Sequence, residues 1–312
     1  MPEPRPALPP WLGVAVAVLS VSFAAPLFKL ANAPPLTASF WRLGLACLLL
    51  LPFSRRAWPA WRSHTRQDWL VLLASGLALA AHFGLWVTSL GLTTVAASTT
   101  LVTLQAVFVA LGGHFLLGDR LSAANWTGVA VAFAGSAAIA FADGAGAGQS
   151  ILGDVLALAA GLGSAAYFLI GRRLRATRGL VEYVLPVYAF AALALLVSLP
   201  IVGQPLFAAT MPLDCLAWLG ANGTFAAFVL LAAVPMLGGH TVANWTVKYL
   251  PAHTVATWIL LEPVGAALLA WAIPCIAQVP SRWTVIGGAL VLLGATLTVP
   301  HKGKGAATEP AG

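Results

Sequence analysis

The stretch from His82 to Gly135 reads HFGLWVTSLGLTTVAASTTLVTLQAVFVALGGHFLLGDRLSAANWTGVAVAFAG, and a diverged copy of it returns between His240 and Gly294. The segment opening with His82 and closing with Trp86 is answered by His240 to Trp245, with His82 and His240 at an offset of 158 residues. Leu104-Gln105-Ala106-Val107 is answered by Leu261-Glu262-Pro263-Val264, and Trp126-Thr127 by Trp283-Thr284, both at 157. Gly128 and Gly135 are answered by Gly287 and Gly294 at 159. A nearly constant offset over this length marks an internal duplication of one almost wholly apolar unit.

Composition says where such a unit can live. Sixty per cent of the 312 residues are hydrophobic and 8% are charged, against about 25% charged in a soluble domain. A soluble protein of this make-up could not cover its own surface, so the chain is expected to be an integral membrane protein. The net charge of +7 does not point to nucleic acid, because the basic residues form no patch interleaved with aromatics. Cys47, Cys215 and Cys275 are odd in number and scattered, which implies neither a disulfide framework nor a metal site.

A helix crossing about 30 Å of hydrocarbon needs about 20 residues. Ten segments qualify: 11–30, 37–53, 69–90, 95–117, 123–141, 151–171, 183–202, 226–247, 254–275 and 284–300. The first is too long in its apolar run for a cleaved signal peptide and is taken as a retained helix. With a cytoplasmic N-terminus, the inner loops hold 13 of the 16 Lys and Arg residues, leaving Lys29, Arg42 and Arg282 elsewhere. Both termini are therefore expected in the cytoplasm of a bacterial inner (plasma) membrane protein. Five helices per half is an odd number, so the second half enters the membrane inverted. The expected fold is an all-α polytopic membrane protein of ten transmembrane helices, built as two inverted five-helix repeats. Residues 1–142 form the first repeat, 143–150 an external Gly/Ala linker, 151–300 the second repeat and 301–312 a disordered cytoplasmic tail. The interval 204–224 is read as an external loop with a short interfacial helix.

At this point the chain resembles the EamA-type ten-helix members of the drug/metabolite transporter superfamily. The resemblance rests on Phe40-Trp41-Arg42 opening helix two, on Val95 to Leu121 with Gly118-Asp119-Arg120-Leu121 closing helix four, and on Leu261-Glu262-Pro263-Val264 in helix nine. The Gly-rich starts of helices five and ten complete it. It implies an exporter of amino acids, other metabolites or drugs, with a central cavity lined by helices one, three, four, six, eight and nine. Two departures stand out. The family's Gly-Glu after helix four is Gly118-Asp119 here, while the one after helix nine is lost, with Ala277 near its position. The family proline of helix four is replaced by Ala106, so helix four is expected to be straighter than helix nine.

Glu262 is the leading candidate for chemistry. It lies about nine residues into helix nine, roughly 14 Å from the inner surface at 1.5 Å per residue. A carboxylate at that depth costs several kcal/mol unless it is protonated, paired or facing water. The alternative role is a neutral hydrogen-bonded glue between helices. Gln105, its repeat counterpart, is expected beside it near the pseudo-two-fold axis. His82 with Trp86, and His240 with Asn244, are i,i+4 pairs that share helix faces. As cavity residues they would offer donors and a stacking surface, and as packing residues they would be satisfied within the bundle. Tyr167 and Trp258 are further substrate-binding candidates, against the reading that large aromatics pack or anchor at the interface. Arg42 is placed in an external vestibule, where it would meet a substrate carboxylate or else snorkel to headgroups with Lys29. Pro26, Pro186, Pro235 and Pro263 interrupt helices one, seven, eight and nine. Ala130, Ala134 and Ala138 form a small-residue stripe for close packing of helix five.

These features point to a secondary transporter that exports a small organic solute by alternating access between the halves. An uncoupled facilitator or channel is the alternative, and an intramembrane enzyme the third reading. Against an enzyme, the chain has no zinc-binding His-Glu-x-x-His, no nucleophile beside a base and no paired mid-membrane aspartates; Asp143, Asp154 and Asp214 fall in predicted external loops. No catalytic residue, metal ligand or cofactor is expected. The partners expected are a small-molecule substrate and the lipid bilayer, with no nucleic acid. A monomer and a homodimer both suffice, since two fused repeats can make a complete pathway.

Overall fold

The computed structural model describes residues 6, 8–90, 92–93, 98, 101–142, 151–207, 221–274 and 282–299. The linker 143–150, the tail 301–312, residues 208–220 of the predicted loop, and Cys215, Cys275 and Ala277 lie outside them. The regular secondary structure among the described residues is helical, with no strand. We number the helices α1 (Pro10–Ser22), α2 (Ala24–Ala31), α3 (Pro35–Leu50), α4 (Ser54–Arg62), α5 (Arg66–Leu90), α6 (Gln105–Leu116), α7 (Ala123–Ala142), α8 (Ile151–Arg175) and α9 (Leu180–Ile201). The chain continues with α10 (Ala221–Leu231), a π-helical segment Ala232–Thr241, α11 (Val242–Thr246), α12 (Ala252–Ile259), α13 (Glu262–Ala272) and α14 (Arg282–Leu297). Helices lie on every predicted segment. Among the described residues, seven helical stretches are long and apolar enough to cross a bilayer, with shorter apolar helices at Leu101–Leu116 and Val285–Leu297. The protein is thus an all-α, polytopic membrane protein.

Prolines open and break these helices for a shared reason, the missing N–H and a fixed φ. Pro10 and Pro35 occupy first-turn positions of α1 and α3, where no intrahelical donor is needed. Pro26 removes the donor that would reach back to Ser22, and the first spanning helix breaks at Phe23 between α1 and α2. Pro235 widens the eighth into the π-helical segment. By contrast, α9 runs unbroken through Pro186. Helix two extends beyond its predicted end through a 3₁₀ turn into α4, whose Trp61 Nε1 donates to Glu182 O at 3.0 Å.

The packing pairs helices from the N-terminal part of the chain with helices from the C-terminal part. α5 packs along α8, and with the halves exchanged the π-helical segment and α11 pack along α1. α3 packs on α9, α6 on α12, and α7 on α14. The tightest of these seams is α7–α14. A Cβ on Gly128 would stand 2.6 Å from Gly294 O, and one on Gly135 would stand 2.5 Å from Gly287 O. The close approach therefore runs through Gly128, Ala132 and Gly135, all buried, and not through the predicted alanine stripe. Ala130 and Ala134 are exposed on the other side of α7. Only glycine lets one backbone rest on the other here, and this selects the buried face.

The two ends of the bundle are tied differently. At the end carrying most of the arginines, Arg178 Nη2 meets Asp68 Oδ1 at 2.5 Å, and its Nη1 bonds His64 Nε2 and lies 3.6 Å from Glu182. Arg172 pairs with Asp119 at 3.5 Å and donates to Val247 O at 2.7 Å, linking the ends of α6, α8 and α11. Gly118, at φ +73°, ends α6 in the left-handed conformation, and Asp119 N reaches back to Gly113 O. At the opposite end Gln204 and Pro205 supply acceptors to Leu36 N and Thr37 Oγ1 at the start of α3. Asp154 lies in the first turn of α8 and accepts from Thr93 Oγ1 at 2.7 Å. The loop position expected for it is corrected to a helix N-terminus, where a carboxylate is favoured.

Candidate functional site

Two apolar helical stretches are interrupted just before Gln105 and Glu262, the residues at an offset of 157 in the sequence. Before α13, Leu260 and Leu261 leave the α pattern, with Leu261 N bonding Trp258 O at 3.1 Å, and Glu262 begins the helix. Before α6, Leu104 N bonds Leu101 O at 3.3 Å and Gln105 begins the helix. Pro263 accounts for the first break. The second occurs without a proline, so the straighter helix four expected from Ala106 is corrected. Its turn tightens to an i→i−3 bond, and the side chain of Gln105 is engaged by the Ser164 hydroxyl on α8. Both residues thus stand at half-helix N-termini, where backbone N–H groups lack intrahelical partners.

Around Glu262 the interior collects polar and aromatic groups from both halves. Arg42 is 1% exposed and sits in the core, not in an external vestibule. That expectation is corrected: the helix-two face bearing Arg42 turns inward, where its guanidinium lies over the Phe83 ring at 4.7 Å and the Phe28 ring at 5.9 Å. Lys29, by contrast, is exposed at the end of α2. Glu262 lies within electrostatic reach of Arg42, as do Tyr167 and Tyr188, without any of them closing to an ion pair. His82 and His240 feel the same charge.

The predicted histidine pairs flank this charge. His82 Nδ1 bonds Ala160 O at 3.1 Å, and its ring lies parallel to Trp86 at 6.3 Å. Phe83 bridges to His240 at 5.6 Å between ring centroids, and His240 reaches Tyr167 at 6.3 Å. Asn244 is buried, and its amide donates to the Tyr167 hydroxyl and to His240 O at 2.7 Å. Its hydrogen bonds are therefore spent within the bundle, and it positions Tyr167. His82, Trp86, Tyr167, His240 and Asn244 are thus brought into one cluster with Arg42. Gln105 is held by Ser164, with no direct hydrogen bond to Glu262. Trp258 stands apart, edge to face with Trp11 at 5.9 Å.

Three groups of the cluster escaped the sequence reading. Tyr188 donates or accepts with Thr241 Oγ1 at 2.9 Å, and Tyr183 bonds Ser75 at 2.7 Å and Tyr167 O at 3.3 Å. Phe83 carries the guanidinium. The signal available was scarcity: the chain has four tyrosines, and three of them fall within or beside two adjacent helices. A bundle interior of this kind can hold a solute by stacking, by hydroxyl and imidazole hydrogen bonds, and through one basic and one acidic side chain.

Comparison with known proteins agrees with this architecture. A solved crystal structure superposes with a TM-score of 0.73 at 20% sequence identity, covering 93% of this chain and 96% of that one, which establishes a shared fold. A riboflavin transporter of Rhizobium johnstonii (strain DSM 114642 / LMG 32736 / 3841) is 33% identical over 131 residues. That match spans 40% of this chain and 40% of the relative's own length. The model of the EamA-like transporter family matches residues 9–141 and 151–299. With nearly the whole chain so covered, and a helical membrane bundle built around a buried polar cluster, this protein belongs to the EamA-like transporter family.

Proposed function

We propose that this protein is a secondary transporter that exports a small organic solute, an amino acid or related metabolite or a drug, by alternating access. In this reading residues 1–142 and 151–300 are inverted five-helix repeats, the termini are cytoplasmic, and the membrane is a bacterial inner membrane. The observation that carries it is the pair of helix breaks at Gln105 and Glu262, 157 residues apart. Broken helices at equivalent points of inverted repeats present unsatisfied backbone and a polar side chain at mid-membrane, where transporters bind their cargo. The α7–α14 seam supports the repeat. Gly128 and Gly135 correspond by offset to Gly287 and Gly294, yet Gly128 meets Gly294 and Gly135 meets Gly287. Such crossed contacts are those of a two-fold axis.

Glu262 is the candidate for coupling: a carboxylate between two exposed states can take up a proton from one side and release it to the other. The second reading is a facilitator, in which Glu262 only donates or accepts hydrogen bonds. It is favoured by the engagement of Gln105, the equivalent residue, with Ser164. The test is counterflow in proteoliposomes of the full chain, using radiolabelled amino acids and riboflavin, with and without an imposed pH gradient. Exchange of at least one solute, with accumulation driven by the gradient, is expected. Exchange indifferent to the gradient would favour the facilitator, and no exchange of any solute would overturn the transport assignment.

A further inference from the structure

Arg42 is a buried charge whose hydrogen-bonding edge is left open among the described residues. Its Nε and Nη2 are buried and have no hydrogen-bond partner among the described residues. A buried guanidinium without partners is expensive, and such groups are ordinarily satisfied by acceptors. The two open nitrogens are not arbitrary: Nε–H and Nη2–H lie on one side of the guanidinium and point the same way. They form the fork that takes both oxygens of a carboxylate. The guanidinium carbon lies 4.7 Å from the Phe83 ring centroid and 5.9 Å from that of Phe28, and neither ring supplies an oxygen or nitrogen acceptor to Nε or Nη2.

We infer that Arg42 is the receptor for a carboxylate on the transported solute, gripped side-on by Nε and Nη2. This rests on the transport reading above and narrows it to solutes bearing an organic anion. The neighbouring charge narrows it further. Glu262, within electrostatic reach of Arg42, repels a second negative group and attracts a positive one. A zwitterion, carboxylate toward Arg42 and amine toward Glu262, matches the pair better than a dianion does. Arg42 comes from the first half and Glu262 from the second, so such a solute also spans the interface on which alternating access would turn.

The test compares acids with their amides, which keep shape and lose the anion. Binding to the purified full chain is read as ligand-dependent rise of the unfolding midpoint, followed by tryptophan fluorescence. The probes are phenylalanine, phenylpropionate, the amide of each, and riboflavin. If the transport screen finds another acid, that acid and its amide join them. The expected result is an acid bound at least about tenfold more tightly than its amide, as charge-assisted hydrogen bonds require. The preference should shrink in Arg42→Lys, which keeps the charge and loses the fork, and vanish in Arg42→Gln. Equal affinities for acid and amide in the wild-type protein would overturn the inference even if both variants failed to fold. A preference that survives in Arg42→Gln would do the same. If only solutes without an anionic group are bound or exchanged, the carboxylate inference falls and the transport assignment stands. If no solute is bound or exchanged, both fall.

Discussion

Gly128→Ala puts the α7–α14 seam to the test. The new methyl would stand 2.6 Å from Gly294 O and 2.9 Å from the Cβ of Leu297, against about 3.5–4.0 Å for an unstrained contact. Neither obstacle can rotate away, so the helices must part. A gap of about 0.5–1 Å forfeits a quarter to a half of the dispersion well at each contact along the seam. Overpacking of this kind costs about 1–3 kcal/mol. Alanine also gains about 0.8–1.0 kcal/mol over glycine in helix propensity, and a control must carry the same gain. Gly44 in α3 supplies it, since a Cβ there meets nothing within 4 Å. The comparison of Gly128→Ala with Gly44→Ala therefore isolates the steric cost. At about 2–4 °C per kcal/mol for large chains, Gly128→Ala should unfold about 2–12 °C below Gly44→Ala, measured in detergent by tryptophan fluorescence. Gly135→Ala should behave alike, because Gly287 O stands 2.5 Å from its Cβ position. Gly128→Ala and Gly294→Ala should combine to less than their sum, since both disturb one contact. Unfolding of Gly128→Ala within 1 °C of the Gly44→Ala control would refute the reasoning.

Other expectations follow from the interior and the topology. Glu262→Gln keeps size and hydrogen bonding but cannot ionise, so it should abolish pH-driven accumulation while some exchange persists. A variant that still concentrates solute under a pH difference would rule out proton carriage by Glu262. Asn244→Leu removes one of the two side-chain partners of the Tyr167 hydroxyl, leaving Tyr188, and should destabilise the protein by about 0.5–1.5 kcal/mol, read as a lower unfolding midpoint; no change would mean that Tyr188 alone satisfies Tyr167. In a cysteine-free background, a cysteine at Gly146 should react with an impermeant thiol reagent on intact cells and one at Lys304 should not. The reverse pattern would invert the assigned orientation.

The apolar helical segments and the family resemblance are legible in the sequence because they depend on hydropathy, length and short motifs, which survive without coordinates. What the sequence left hidden were rotations. Depth alone leaves Arg42 between an external vestibule and the headgroups, but a helix can turn a charge into the core when aromatic rings receive it, as Phe83 and Phe28 do. Helix five carries two small-residue stripes, Ala130-Ala134-Ala138 and Gly128-Ala132-Gly135, and periodicity does not choose between them. Backbone contact does, and it chooses the glycines. The break at Leu104 had no proline to announce it. Tyr183 and Tyr188 are not singled out by the sequence because tyrosine in membrane chains is first read as an interface residue.

The crossed glycine contacts also bear on direction. An axis lying in the membrane plane exchanges the two sides of the bilayer. Under the arrangement proposed above, identical repeats would make the states open to either side mirror partners of equal free energy, a level double well with no preferred resting side. Joining the copies in one chain frees them to differ, and they do: Glu262 and Pro263 stand where the first copy has Gln105 and Ala106. Each difference tilts the well, and about 1.4 kcal/mol of tilt changes the resting ratio tenfold. The seam keeps the halves geometrically equivalent, while the departures from equivalence set which side the empty protein favours.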